Sequence, residues 1–228
     1  MTSFENNPKQ LTPFSPWSSL LIFILLFFVA YFVAQFFAII VAILIYNVPF
    51  DQVGTLFKAP FDEKSKKIIY IAQGLSHFLS FTVFGLLFYR LIDRQNVKRF
   101  FSTKRFTASQ AILAIGATFF FMLFNSIIIE WNMNVEFPEF LKAFEQWARA
   151  MEDQLLELTT LLSTYENFGE MLLALLVIGV LPAVGEEIIF RGILQNKLYA
   201  IAKNPHVAIW TAAVIFGAFH LQFYGVLP

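Results

Sequence analysis

Cysteine is absent from this chain of 228 residues, which excludes disulfides, thiol nucleophiles and thiolate-bound zinc or iron–sulfur centres. Charge is scarce too, since Asp, Glu, Lys and Arg make up 14% of the residues against roughly 25% in a soluble domain. Because 16 basic side chains balance 16 acidic ones, nothing favours a nucleic-acid partner. Apolar residues fill the composition instead: 58% are hydrophobic, and 30 are Phe. We therefore predict an integral membrane protein.

Five apolar segments are predicted to cross the lipid bilayer as helices. The hydrocarbon core, about 30 Å thick, needs about 20 apolar residues in a helix, and an open strand edge would leave backbone groups unsatisfied there. The segments cover residues 17–46, 68–92, 108–129, 171 onward and 207–228. The fold class is thus an all-α polytopic transmembrane bundle. We expect one domain over residues 1–228, C-terminally incomplete, with more helices in the complete protein.

Basic residues between the segments predict the orientation. The 93–107 loop carries five of them, more than any other loop, and is predicted to be cytoplasmic, together with the N-terminus and the 191–206 turn. The 47–67 and 132–169 loops are then external. One conflict stands against this orientation, because four lysines fall in or near the first external loop: Lys58, Lys64, Lys66 and Lys67.

The second external loop holds an amphipathic pattern at about 138–165. Apolar residues recur there every three or four positions, and the opposite face is acidic. Pro138 suits the first turn of the predicted helix. Two interpretations stay open: an interfacial or re-packed helix over the bundle, or a gate for substrate.

Two adjacent carboxylates, Glu186 and Glu187, follow an unbroken apolar run in the fourth segment. Ionisable residues at membrane depth are costly, and they are functional candidates that need a partner. Arg191 lies four residues after Glu187, the spacing and order that favour an ion pair along a helix. Glu186 points about 100° away and has no such partner on its own helix, so it is the candidate base.

The fifth segment supplies an imidazole, because Phe216 and His220 share one helical face. If the intervening turn lies near Lys203–Pro205, antiparallel helices bring Glu187 and His220 to about the same depth. Carboxylates facing an imidazole can activate water or hold a metal. The same residues could equally form a buried ion-pair network that only fixes packing. His77, in the second segment, favours ordinary interhelical contacts over a part in a water-filled cavity.

The pattern Glu186-Glu187-x-x-x-Arg191 followed by Phe216-x-x-x-His220 resembles the leading motifs of the CPBP family of intramembrane proteases. That family includes CAAX prenyl endopeptidases of the Rce1 type and the bacterial Abi proteins. The resemblance implies that Glu186 activates the hydrolytic water and His220 assists, while Glu187, Arg191 and Phe216 support the site. A further family motif, a second histidine with an asparagine four residues later, is not found before Pro228.

The resemblance implies an intramembrane endopeptidase that acts on a peptide or membrane-protein substrate. It leaves open whether a divalent metal such as zinc takes part, with Glu186, Glu187 and His220 as candidate ligands. The expected location is a bacterial inner membrane with the N-terminus in the cytoplasm. The alternatives are a non-enzymatic immunity or scaffold protein that binds a peptide through the same polar residues, and a small proton-coupled transporter.

Overall fold

A computed structural model describes residues 14–54, 56, 61–97, 107–135 and 137–220. These residues form helices and short turns, and no strand occurs among them, which confirms the all-α class. In chain order the helices are α1, Pro16–Tyr46; α2, Glu63–Ile92; α3, Ala108–Met133; α4, Lys142–Leu162; α5, Phe168–Ala202; and α6, Pro205–Phe219. Single 3₁₀ turns lie at Phe50–Gln52 and Glu139–Leu141.

Four of these helices, α1, α2, α3 and α5, are long and apolar enough to cross a membrane. Helix α6 is apolar but shorter, and the end of the predicted fifth segment, 221–228, lies outside the described residues. The turn predicted near Lys203 is present, and there the backbone adopts a left-handed conformation with φ 54°. The prediction of a polytopic membrane protein is confirmed.

The start of α2 differs from the prediction. The helix begins at Glu63, before the predicted Ile68, because the Asp62 side chain accepts a hydrogen bond of 2.7 Å from the backbone N–H of Ser65. The apolar pattern alone could not reveal this cap. Lys64, Lys66 and Lys67 consequently lie on the first turns of α2, while Lys58 lies outside the described residues.

Both central helices contain π-helical turns, which are wider than α-helical ones. In α2 they cover Phe78–Val83 and Phe88–Ile92, and in α5 they cover Leu175–Val180 and Glu187–Leu194. Pro182 explains the wide turns that precede it in α5. Proline lacks an N–H and its ring crowds the carbonyl one turn earlier, so the helix widens there and continues.

The chain divides into two compact units: residues up to 100 with 157–212, and residues 101–156 with 213–228. The expectation of a single domain stays a prediction. Helix α4, the predicted 138–165 insertion, begins in the second unit and ends in the first.

In the first unit, α1 runs antiparallel to α2, and α5 runs parallel to α2. The α1–α2 contact is aromatic: the Phe23 ring packs 5.2 Å from Phe88, and the Phe27 ring packs 5.2 Å from Phe81. The α2–α5 register is constant. Two ion pairs, one near each end of the helices, both join residues that are 104 positions apart.

Glycines let α2 and α5 approach closely, as small residues do between membrane helices. A Cβ atom on Gly85 would lie 2.6 Å from the side chain of Ile188, and one on Gly74 would lie 3.2 Å from Val177. Ile188, like Ile68, is fully buried. The contact is therefore tight enough to hold side chains of the two helices in fixed positions.

A buried ionic cluster joins the three helices at one end of the first unit. The Lys197 ammonium donates to Ser19 Oγ at 2.7 Å and to the two carboxylate oxygens of Asp93 at 2.7 and 3.0 Å. The start of α1 and the ends of α2 and α5 thus meet at the same end, as the predicted topology requires. Which side of the membrane this end faces stays a prediction.

A second cluster closes the opposite end. The Lys66 ammonium donates to the Thr164 carbonyl at 2.7 Å and pairs with Glu170 at 3.4 Å, and the Tyr70 hydroxyl donates to the Leu162 carbonyl. Lys66 is buried. Lys66 and Lys197 are thus both held in ion pairs near the ends of the helices, and the predicted orientation stays a prediction.

The second unit shows that part of the α4 polar face is not solvated. Glu145 is buried; it accepts hydrogen bonds from Arg149 at 2.9 and 3.1 Å, from Lys142 at 3.1 Å and from the Phe137 N–H. Arg149 and then Lys142 hold the pKa of the Glu145 carboxyl below its usual range. The predicted helix is confirmed, but Phe140, in the predicted apolar stripe, is 82% exposed. Whether α4 lies at the interface or gates substrate stays a prediction.

Candidate active site

The predicted catalytic carboxylate, Glu186, lies near the middle of α5. It ends the α-helical stretch Leu181–Glu186, and a π-helical turn begins at the next residue. Its side chain is 25% exposed, whereas that of Glu187 is 56% exposed. The two neighbouring carboxylates therefore lie in different surroundings.

Glu187 forms the ion pair that its spacing predicts. Arg191 Nη1 donates to the two Glu187 oxygens at 3.0 and 2.9 Å. The Arg191 side chain is 71% exposed, so the pair lies on the outer surface of the first unit. The supporting role of these two residues stays a prediction.

Glu186 faces His77 of helix α2. The Nε2 atom of His77 lies 3.6 Å from Oε1 of Glu186, and the His77 side chain is 14% exposed. The sequence favoured ordinary interhelical contacts for His77; the structure places it against the candidate base. Sequence reasoning missed this pair because spacing along one helix gives no partner on another helix. The signal that could have found it is that both residues lie midway along helices predicted to run in the same direction.

The His77 ring is held between two helices. It stacks on Phe81 with centroids 4.0 Å apart and planes 9° apart. Gly185 of α5 also lies close to the ring: a Cβ atom on it would lie 2.9 Å from His77 Cε1 and 2.7 Å from Phe81 Cβ. Both ring nitrogens are buried, and neither has a hydrogen-bond partner among the described residues.

A cavity of about 270 Å³, lined by both polar and apolar side chains, adjoins the same histidine. Its polar lining side chains come from α1 and α2: Tyr31, Gln35, Gln73, Ser76 and His77. Since one water molecule occupies about 30 Å³ of liquid, several fit into this volume, and the lining offers them partners. Water can thus be held inside the first unit next to His77.

The other predicted catalytic residue, His220, follows the last turn of α6 in the second unit. Its Nδ1 lies 2.9 Å from the Phe216 carbonyl oxygen, and the two rings meet edge to face at 4.7 Å. A carbonyl only accepts, so Nδ1 carries the proton in this bond and Nε2 is left as an acceptor in the neutral ring. The shared face of Phe216 and His220 is confirmed; their approach to Glu186 stays a prediction.

Residues 168–228 match a family model described as type II CAAX prenyl endopeptidase, Rce1-like. This match, at the end of the chain, supports the resemblance of the sequence to CPBP-type intramembrane proteases. The matched range contains the five candidate residues of the sequence pattern, whereas His77 lies outside it. No curated protein and no solved structure matches the chain.

The apolar helices and this match together indicate an integral membrane protein, and the match supports intramembrane protease activity in general. The finer family labels, metalloprotease and Abi, stay predictions. Among the described residues, no three His, Asp or Glu side chains form a metal-binding group. Glu187, one of the three candidate ligands, is bound to Arg191 instead. A zinc site built on Glu186, Glu187 and His220 therefore stays a prediction, and no step is derived through a metal.

Proposed function

We propose that this chain is an endopeptidase in which Glu186 acts as the general base on the hydrolytic water, with His220 assisting. The observation that carries the proposal is the contrast between the adjacent glutamates. Arg191 binds Glu187, whereas Glu186 is half-buried at mid-helix and faces an imidazole. A carboxylate kept out of a structural ion pair, at the depth of a transmembrane peptide, is available to accept a proton from water.

The reaction consumes one water molecule for each peptide bond. Glu186 takes a proton from water while the water oxygen bonds to the carbonyl carbon of the substrate, which gives a tetrahedral intermediate. His220 assists by accepting a hydrogen bond from the attacking water through Nε2, which helps to polarise that water. The carbon–nitrogen bond then breaks, and the proton held by Glu186 passes to the departing nitrogen. The products are a carboxylic acid and an amine.

The substrate is a peptide or a membrane protein that reaches the site from within the bilayer. In the predicted orientation the site opens to the cytoplasmic half of a bacterial inner membrane, because Glu186 and His220 flank the turn placed on that side. A cysteine introduced beside Glu186 should then react with a membrane-impermeant label added from the cytoplasmic side. Labelling from the external side alone would contradict this orientation.

The test of the proposed function is Glu186→Gln in the purified protein, reconstituted in lipid vesicles. The probe is a library of bilayer-embedded peptides with CAAX-type C-termini, and cleavage is read by mass spectrometry. We expect cleavage to fall by about 10²–10⁴-fold, the range for loss of a general base, while thermal unfolding stays close to wild type. If the Glu186→Gln protein cleaves peptides at the wild-type rate, the proposal is overturned. A wild type that binds peptides without cleaving them would favour the immunity or scaffold alternative.

A further inference from the structure

We propose that His77 is a second water-holding residue of this site, and that the cavity beside it supplies the water that Glu186 activates. The inference rests on the proposed function, because it names a further residue for the same hydrolysis. It is independent of the sequence pattern, since His77 lies on α2 and outside the matched family segment.

The first argument concerns the hydrogen bonds that the buried ring nitrogens of His77 do not make. Buried polar atoms in folded proteins almost always have a partner, and an exception points to a bound water or ligand. Both nitrogens of the His77 ring are buried without a partner among the described residues. At 3.6 Å, the distance from Nε2 to the Glu186 carboxylate is too long for a good direct hydrogen bond. One water molecule can bond to both atoms, because each such bond needs only about 2.8 Å.

The second argument is that the ring cannot turn away to find other partners. Phe81 covers one face of the ring in a parallel stack, and Gly185 lies so close to the ring that a Cβ atom on it would be 2.9 Å from His77 Cε1. Because Gly185 directly precedes Glu186, the residue that fixes the ring and the residue that faces it belong to the same turn of α5. The ring is therefore held with Nε2 towards the carboxylate.

The third argument is the supply of water. The cavity of about 270 Å³ is lined by His77 together with the amides of Gln35 and Gln73 and the phenol of Tyr31. Polar lining and sufficient volume are the two conditions for a cavity to hold water. His77 lines this cavity and also faces Glu186, so it is the residue that connects the cavity with the base.

Among the charged groups around His77, Glu186 is the carboxylate that faces its ring. On α5, Glu187 and Arg191 bind each other. The α1 and α2 side chains that line the cavity beside His77 are the neutral Tyr31, Gln35, Gln73 and Ser76. The site thus consists of one carboxylate, one imidazole and a cavity whose other polar side chains are neutral.

The activity test compares His77→Gln with His77→Met, which have similar length and differ in the polar end group. Ser80→Ala is the control, since Ser80 is buried in the same helix and donates to the Ser76 carbonyl of that helix. On the library above, we expect His77→Met to lower kcat by about 10²-fold with KM nearly unchanged, because a group that positions water acts on the chemical step. His77→Gln should keep at least about tenfold more activity than His77→Met, since its amide can still hold water. Equal losses in both variants, or wild-type rates in His77→Met, would overturn the inference.

A second measurement is independent of any substrate. In the wild-type protein in lipid bilayers, with ¹⁵N-labelled histidine, solid-state NMR should show magnetisation transfer from water to the His77 ring nitrogens, assigned by its loss in His77→Gln. A ring without water contact would overturn the inference even if the protein cleaves peptides. Water at His77 in a protein that cleaves no peptide would instead refute the proposed function and leave the hydration site in place.

Discussion

Helices α2 and α5 carry two polar contacts that differ in how completely they are satisfied. At one end, the Lys197 ammonium makes three hydrogen bonds of 2.7–3.0 Å to Asp93 and Ser19, and it lies 4.8 Å from the centre of the Phe88 ring. In the middle, His77 and Glu186 stand 3.6 Å apart, and both ring nitrogens lack a partner among the described residues. The same pair of helices thus holds one polar contact whose hydrogen bonds are made and one whose ring nitrogens have no partner among the described residues.

This difference distinguishes a contact that stabilises the fold from one that can take part in the reaction. A buried ion pair whose hydrogen bonds are all made has no capacity left for a ligand, so its role is to fix the register of the helices. A buried pair with unused donors and acceptors does not stabilise the fold to the same degree, and it can bind a water molecule. Burial of charge alone would not have told the two contacts apart.

The largest effect on stability is expected at the contact of Lys197 with Asp93. Lys197→Met leaves Asp93 buried without its cation, and removing one partner of a buried pair costs about 3–5 kcal/mol of unfolding free energy. The measurement is reversible unfolding in mixed detergent micelles. The double variant Lys197→Met/Asp93→Leu should recover most of the loss, because no unpaired charge remains. A loss below about 1 kcal/mol in the single variant would show that the pair does not hold the helices.

A smaller effect is expected where α5 touches the His77 ring. In Gly185→Ala the new methyl group would lie 2.7 Å from Phe81 Cβ and 2.9 Å from His77 Cε1, so one helix must shift. Overpacking of this kind costs about 1–3 kcal/mol. We expect peptide cleavage to fall as well, because the ring loses its fixed position.

Gly179→Ala is the matched control on the same helix. Its methyl group would meet the Leu175 side chain at 3.4 Å, an ordinary contact distance. Since alanine favours a helix over glycine by about 1 kcal/mol, this variant should unfold no more easily than wild type. Equal stability and equal cleavage in the two alanine variants would contradict the close packing at Gly185.

The smallest effect on stability is expected at the exposed ion pair. In Glu187→Gln the bond to Arg191 is lost, but both side chains are more than half exposed. Pairs of this kind contribute about 0–1 kcal/mol, so the unfolding free energy should change little. A loss as large as that of Lys197→Met would show that the pair is covered in the membrane by another part of the protein.

Much of the fold could be predicted because it depends on local pattern. Apolar length predicts the membrane helices, and four-residue spacing predicts the pair of Glu187 with Arg191. The turn near Lys203 follows from the polar, proline-containing break between two apolar runs. Each of these depends on neighbours in the chain.

What the sequence could not predict depends on contacts between helices. Lys66 and Lys197 look like loop cations, yet each is buried because a carboxylate 104 residues away meets it across α2 and α5. The role of His77 could not be predicted for the same reason, since Glu186, which it faces, lies on a helix far away in the chain. Helical periodicity predicts which face is apolar, but the register between two helices also depends on where glycines such as Gly85 allow close approach.

The different roles of the two adjacent glutamates are tested most directly by comparing the peptide-cleavage rates of their glutamine variants. Glu186→Gln and Glu187→Gln change the same chemical group at neighbouring positions, and both are measured on one peptide library in the same vesicles. We expect the Glu186 variant to be at least about 10²-fold slower than the Glu187 variant, because only the former removes a general base. Equal rates in the two variants, with both proteins folded, would contradict the assignment of Glu186 as the residue that activates water.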